Sequence, residues 1–283
     1  MIDAHRHFWR YSPSSHAWID DSMPMLKHDF LPGTSPFTDP RAVGGTSQRE
    51  VSGCVAVQAL HDAAETVWLL ELAGKHPEVL GVVGWVDLCA PNAGARLDEL
   101  AADAHFVGVR HLLQDEPDPR FCLRGDFRRG LHELSVRDLC FDVLVRAPQR
   151  DAALELVRAF PAQRFVLDHL LKPRVADREL DPWHRQMHEF ARHENVWCKL
   201  SGLCTESERG TWNPALLEPY LDIALETFGP ARLVFGSDHP VCLLAGSAQR
   251  AVDAHLKFLR RLSPSEYTAI THTNAVHVYG LEP

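Results

Sequence analysis

The sequence has no C-x-x-C pair. Seven cysteines (Cys54, Cys89, Cys122, Cys140, Cys198, Cys204 and Cys242) stand singly along 283 residues. Their odd number and wide spacing exclude a disulfide framework and read as free thiols in a reducing cytosol. No apolar run approaches the roughly 20 residues needed to span a bilayer. No basic-then-apolar leader opens the chain, because Arg6 and two histidines interrupt it early, so a cytoplasmic protein without a membrane partner is expected. Lysine and arginine are scattered, and the net charge is −9, which argues against a polyanion such as nucleic acid as the main partner. A small molecule is the expected partner, and self-association is left open. Two nucleotide- and ester-related motifs are also missing. No G-x-G-x-x-G follows the first apolar run, and "GGTSQ" (44–48) lacks the spacing of a phosphate cradle. No G-x-S-x-G surrounds Ser201, which disfavours a serine hydrolase. No repeat, low-complexity tract or linker divides the chain, so one domain over residues 1–283 is expected.

Eight short, nearly continuous apolar runs recur: Ile2–His7, Gly53–Gln58, Leu80–Val86, Phe106–Leu112, Phe141–Val145, Arg164–His169, Val196–Ser201 and Arg232–Gly236. Strands of a parallel sheet, buried on both faces, read this way. Amphipathic segments lie between them, with start signals at Asp62, Asn92, Asp126, Asp181-Pro182 and Asn213-Pro214, and a stop at Gly229-Pro230. Side-chain oxygens of Asp and Asn accept from free backbone N–H groups at a helix start, where proline has none to lose. The alternation predicts a (β/α)₈ TIM barrel, with a doubly wound open sheet as the competing architecture. The stretch from Arg10 to Glu50 is long for a loop and is expected to form a lid or rim over a site.

In a strand, residues i and i+2 face the same way. His5 and His7 in "IDAHRHFW" therefore project together. Later strand ends carry Arg110 and His111, then Asp168, His169 and Lys172, then Lys199 and Ser201, and finally Asp238 and His239. In a (β/α)₈ barrel the C-terminal strand ends converge on one mouth, where active sites are found. His5, His7, His169 and Asp238 thus become neighbours. Trp9, Gln58, Trp85, Arg110 and His111 fall at or just past strand ends and are candidate substrate contacts. The competing readings are rim packing for each tryptophan, a salt bridge to a carboxylate such as Asp87 for Arg110, and simple solvation for Lys172. His16 and His28 lie in the long loop, and the remaining histidines fall in predicted helices or their ends, where surface or interhelical positions are the simpler reading.

The ordered set "DAHRHFW", "GVRHLLQDEPDP", "DHLLKP", "CKLSGL", "FGSDHPV" and "NAVHVYGL" resembles the amidohydrolase superfamily. It is most similar to the branch of metabolic lactonases that contains L-fuconolactonase, L-rhamnonolactonase and 2-pyrone-4,6-dicarboxylate lactonase. The resemblance runs from Ile2 to Leu281. It departs at Arg6, Leu171 and His239, where relatives commonly carry Gln, Gly and Trp. The resemblance implies a hydrolase that opens a sugar-acid lactone, with His5, His7, His169 and Asp238 as a mononuclear metal or water-activating centre. Three imidazoles and a carboxylate suit zinc or manganese. Some relatives work without a tightly held metal, so the ion is not implied to be obligatory. Asp238 is expected to handle the proton, and Arg110 and His169 to hold the developing oxyanion. Related barrels use the same residue types to lose CO₂, so a non-oxidative decarboxylase is the alternative. A barrel that only binds sugar acids is a third reading.

Overall fold

A computed structural model of the chain describes residues 1–33, 51–208 and 211–282. Eight strands form one sheet in chain order: β1 (Ile2–Arg6), β2 (Gly53–Val57), β3 (Val79–Gly84), β4 (Phe106–His111), β5 (Cys140–Val143), β6 (Phe165–Leu167), β7 (Val196–Leu200) and β8 (Leu233–Phe235). Each strand pairs parallel with the next. β8 returns to β1 through the His7 N–H, which donates to His239 O at 2.8 Å, and the Asp238 N–H, which donates to His5 O at 2.9 Å. The sheet is therefore a (β/α)₈ barrel, and the open-sheet alternative is set aside.

Alternation along β7 shows how the core is divided. Val196, Cys198 and Leu200 join the large apolar cluster shared with the helices, whereas Trp197 joins a second cluster with Ile2, Val55, Val83, Val166 and Val234. That second cluster is completed by Ala275, Val278 and Tyr279 of the last helix.

The helices are α1 (Ala63–Ala73), α2 (Ala93–Ala101), α3 (Gly125–Ser135), α4 (Arg150–Ala159), α5 (Trp183–Ala191), α6 (Pro214–Phe228), α7 (Ala248–Leu259), α8 (Pro264–Thr268) and α9 (Asn274–Tyr279). Asp62 and Asn213 cap α1 and α6 as their sequence suggests, accepting from the N–H groups of Ala64 and Leu216, and Gly229 ends α6 at φ 64°. Three expected caps differ. Asn92 makes no side-chain cap bond before α2. Asp126 lies inside the first turn of α3, where the Arg124 guanidinium holds its two oxygens at 3.0 and 2.6 Å. Asp181 stands one residue too early, and Pro182 occupies the cap of α5. At the exit of β2, Glu65 of α1 accepts from the N–H groups of Ala59 at 3.0 Å and Leu60 at 2.9 Å. Burial pushes its carboxyl up to about 7, against the pull of those N–H groups.

The first half of the long loop is tied to the barrel by a two-way bridge between Trp9 and Phe30, with both N–H···O distances 2.9 Å. The second half, including "GGTSQ" (44–48), lies outside the described residues.

Candidate active site

His5 and His7 share one side of β1, and their Nε2 atoms are 3.2 Å apart. His7 Nδ1 is 2.7 Å from Val57 O, a carbonyl that can only accept. The proton of a neutral His7 therefore sits on Nδ1, and Nε2 presents a bare lone pair. Asp238 follows β8 with its backbone in the left-handed region at φ 57°. Its Oδ1 is 3.8 Å from His5 Nε2, 3.7 Å from His7 Nε2 and 3.9 Å from His169 Nε2. One carboxylate oxygen thus faces three imidazole nitrogens delivered by β1 and the end of β6. All four side chains are buried.

Burial pushes His169 down to about 4, with Lys172 and Arg110 adding to the effect and Asp238 opposing it. His5 is driven well below its ordinary value, first by burial and then by Lys199. Burial works to raise Asp238, but the imidazoles of His169, His5 and His7 prevail and hold it below the usual carboxylate range. Near neutral pH the centre therefore holds an ionised Asp238 carboxylate beside the neutral imidazoles of His5 and His169. Lone pairs of neutral imidazoles beside a carboxylate fit a divalent cation of the zinc kind, and His5, His7 and Asp238 lie within reach of a shared ion.

The backbone that delivers His169 is unusual. His169, Leu170, Leu171 and Lys172 all have left-handed φ values, 52°, 53°, 58° and 50°. Each such residue costs roughly 1–2 kcal/mol relative to the right-handed form, so the turn needs fixed partners. The buried Arg150 of α4 supplies two of them. Its Nε donates to Leu171 O at 2.9 Å, and its other end donates to Lys172 O. Trp183 Nε1 donates to Leu170 O at 2.6 Å. The His169 ring is held by Ser201 Oγ, 2.9 Å from Nδ1, and its face lies against Gly202.

Below the imidazoles runs an ionic network with no solvent exposure. Lys199 Nζ lies 2.5 Å from Asp142 Oδ2, 2.9 Å from Asp168 Oδ1 and 3.0 Å from His5 Nδ1. The Tyr279 hydroxyl donates to Asp142 at 2.9 Å. Lys199 is thus an interior residue and does not stand at the mouth. Asp168 also accepts from Arg110 NH1 at 2.9 Å, and Arg110 NH2 donates to Gln58 O. The salt bridge anticipated for Arg110 exists, with Asp168 and not Asp87 as its partner. Burial raises Asp168, yet Lys199, His5 and Arg110 bring it well below the usual range.

A cavity of about 410 Å³ opens at the rim, and His7, Arg110, His169 and Asp238 reach its wall. The other expected substrate contacts lie behind that wall. Trp9 is 1% exposed and donates from Nε1 to His28 O at 2.9 Å. Gln58 is fully buried and donates to Arg110 O at 3.0 Å. Trp85 Nε1 points to His111 Nδ1 at 3.4 Å, and His111 Nε2 lies 2.6 Å from Glu116. His61 joins this second cluster, but its Nε2 already accepts from the Leu112 N–H at 2.8 Å. With these atoms engaged by protein partners, His61, His111 and Glu116 form a rim brace. Lys172, whose simpler sequence reading is a solvated side chain, lines the cavity instead. Arg146 and Glu206, which no sequence motif singles out, line it too. The only local signal for Arg146 and Glu206 is their place just past strand ends.

The amidohydrolase family model matches residues 2–281. An L-fucono-1,5-lactonase of Burkholderia multivorans is 38% identical, over 99% of this chain and 96% of its own length. A crystal structure of an amidohydrolase from Burkholderia multivorans with bound zinc superposes with a TM-score of 0.90 at 38% identity, covering 99% of both chains. A 2,6-dihydroxybenzoate decarboxylase superposes with a TM-score of 0.66 at 15% identity, covering 99% of both chains.

Proposed function

The chain belongs to the amidohydrolase family, and from that premise we propose that it opens a sugar-acid lactone, L-fucono-lactone or a close aldono-lactone, by attack of water on the ester carbonyl. The observation that carries this reading is the convergence of Asp238 Oδ1 on the three imidazole Nε2 atoms at 3.7 to 3.9 Å, with Asp238, His7 and His169 on the wall of a single cavity and His5 buried behind them. Asp238 is ionised and takes the proton of the attacking water as its oxygen bonds to the carbonyl carbon. As the ring C–O bond breaks, the same carboxyl returns that proton to the departing alkoxide. A carboxyl held below its usual range is a ready donor for that second transfer. His169 and the guanidinium of Arg110, fixed by Asp168, face the oxygen on which charge develops.

His5, His7, His169 and Asp238 are the residues that would hold a divalent ion, zinc or manganese. Such an ion supplies Lewis acidity that brings the pKa of a water from about 16 toward about 7 and polarises an ester carbonyl. Support for zinc comes from the zinc-bound relative and from the bare Nε2 of His7. The likeness to the decarboxylase, at 15% identity, is one of fold alone, and decarboxylation is not proposed. Residues 1–283 act as one domain in this reading. A cytoplasmic location is supported by seven free thiols, six of them buried. No helix of the described residues is long and apolar enough to cross a membrane.

The test is proton release from a panel of aldono-1,4- and 1,5-lactones, with and without added Zn²⁺ or Mn²⁺. Turnover of at least one lactone is expected. Silence across the panel, or CO₂ evolution from aromatic acids in its place, overturns the proposal.

A further inference from the structure

The left-handed turn that delivers His169 also delivers Lys172, three residues on, to the same cavity. There Lys172 Nζ stands 3.7 Å from Glu206 Oε1, with side-chain exposures of only 13% and 16%. Arg146 NH1 lies 3.9 Å from the other oxygen of Glu206. These separations are ion pairs too long to be hydrogen bonds. Among the described residues, neither Lys172 Nζ nor the Glu206 carboxylate makes a hydrogen bond. Both charges face the cavity, so a ligand that enters strips solvent from them and must replace the hydrogen bonds it displaces.

The chemistry of that ligand is constrained. An apolar ring would strip water from both charges and satisfy neither. A second carboxylate would meet Lys172 and Arg146 but be repelled by Glu206. Adjacent hydroxyls satisfy both groups, because each hydroxyl donates one hydrogen bond and accepts others. One oxygen accepts from the ammonium while a neighbouring O–H donates to the carboxylate. Apolar side chains also line this cavity. Trp18 and Met23 come from the segment after β1, and Val241 and Leu244 from the segment after β8. Charged hydroxyl partners and hydrocarbon in one cavity fit a sugar ring, which carries both hydroxyls and C–H surface.

We propose that Lys172 and Glu206, flanked by Arg146, form the subsite that grips a vicinal hydroxyl pair of the lactone ring. The enzyme is thereby selective for uncharged, polyhydroxylated lactones over unsubstituted or dicarboxylate ones. This selectivity rests on the lactonase reading, whereas the hydroxyl grip does not. Two measurements separate them. In the first, kcat and KM of wild type, Lys172→Met and Glu206→Leu are compared on an aldono-1,5-lactone and on δ-valerolactone, which has no hydroxyls. For the hydroxylated lactone, kcat/KM falls by about tenfold or more in each variant, mainly through KM, as loss of a hydrogen bond to a charged group requires. For δ-valerolactone the loss in each variant is several-fold smaller, what remains in Lys172→Met reflecting the action of its ammonium on His169. Equal losses on both lactones, or no loss on either, overturn the subsite. In the second, binding of the corresponding sugar lactam, which the enzyme does not consume, is titrated calorimetrically. Weakening by about tenfold in Glu206→Leu is expected. If wild type opens no lactone yet binds the lactam in this Glu206-dependent way, the lactonase reading falls and the hydroxyl subsite stands. If wild type does not bind the lactam, or binds it independently of Glu206, the subsite is overturned.

Discussion

Replacing Gly202 by alanine tests how tightly the imidazole of His169 must be held. Gly202 follows β7 at φ 68°, ψ −6°, and a Cβ there would sit 2.6 Å from both Cγ and Nδ1 of His169 and 2.9 Å from its Cβ. Ordinary carbon contacts begin near ~3.5 Å, so the ring must retreat by about 1 Å. Retreat stretches the 2.9 Å bond to Ser201 and moves Nε2 relative to Asp238. The left-handed backbone adds roughly 1–2 kcal/mol of strain, and the weakened hydrogen bond adds about 1 kcal/mol. Together they predict a loss of about 2–3 kcal/mol, which for a chain of this size lowers Tm by roughly 3–5 °C. The effect on rate is expected to be larger, since misplacing a reacting group by about 1 Å costs on the order of 10²-fold. Gly280 provides the control. It has φ 64° and nothing within 4 Å of its would-be Cβ, so Gly280→Ala incurs the backbone strain without moving any ring. Calorimetric Tm and lactone-driven proton release are measured on both variants. The reasoning fails if Gly202→Ala matches Gly280→Ala in both readouts, because the imidazole then tolerates displacement.

Asp238→Asn retains the side-chain volume but removes the proton acceptor. Its kcat at saturating lactone should fall by about two orders of magnitude or more with little change in Tm, and near-normal turnover would refute its assignment as base. Lys199→Met leaves Asp142 and Asp168 without their shared cation in a region free of solvent. A loss of about 3–5 kcal/mol in urea unfolding is expected, with substantial recovery when Asp142→Asn is added; a cost below about 1 kcal/mol contradicts a tightly coupled network. Glu65 provides a pH test. Its carboxyl moves from 4.5 to about 7 on folding, so the native state holds a proton that the unfolded chain has released between those values. Stability from this group is greatest below pH 4.5, declines as pH rises to about 7, and is level above it. Glu65→Gln, which cannot ionise, should gain Tm relative to wild type from pH 5 to pH 8, and parallel pH profiles would contradict the shift.

How much of the fold and site is legible in the sequence depends on whether the signal is local. Strand runs buried on both faces read as such from their residues alone, and the two-residue period of a strand by itself puts His5 and His7 on one side. Caps are legible where nothing competes for the side chain, at Asp62 and Asn213. They are not where Arg124 captures Asp126. Strand ends identify Asp238, His169 and Arg110 as neighbours because barrel closure makes all such ends converge.

What only the tertiary structure decided was which way each polar group turns and what it meets. Trp85 and His111 sit at strand ends yet turn toward each other and Glu116. Lys199 ends a strand run yet points inward to Asp142, a pairing across 57 residues of chain. Lys172 reaches the cavity because four residues run left-handed, and that handedness is stabilised by Arg150 and Trp183 from two separate helices. Periodicity encodes burial and face, which depend on near neighbours in the chain. Handedness of a strained turn and partner choice in an ionic interior depend on groups distant in sequence, and the folded barrel alone brings those together.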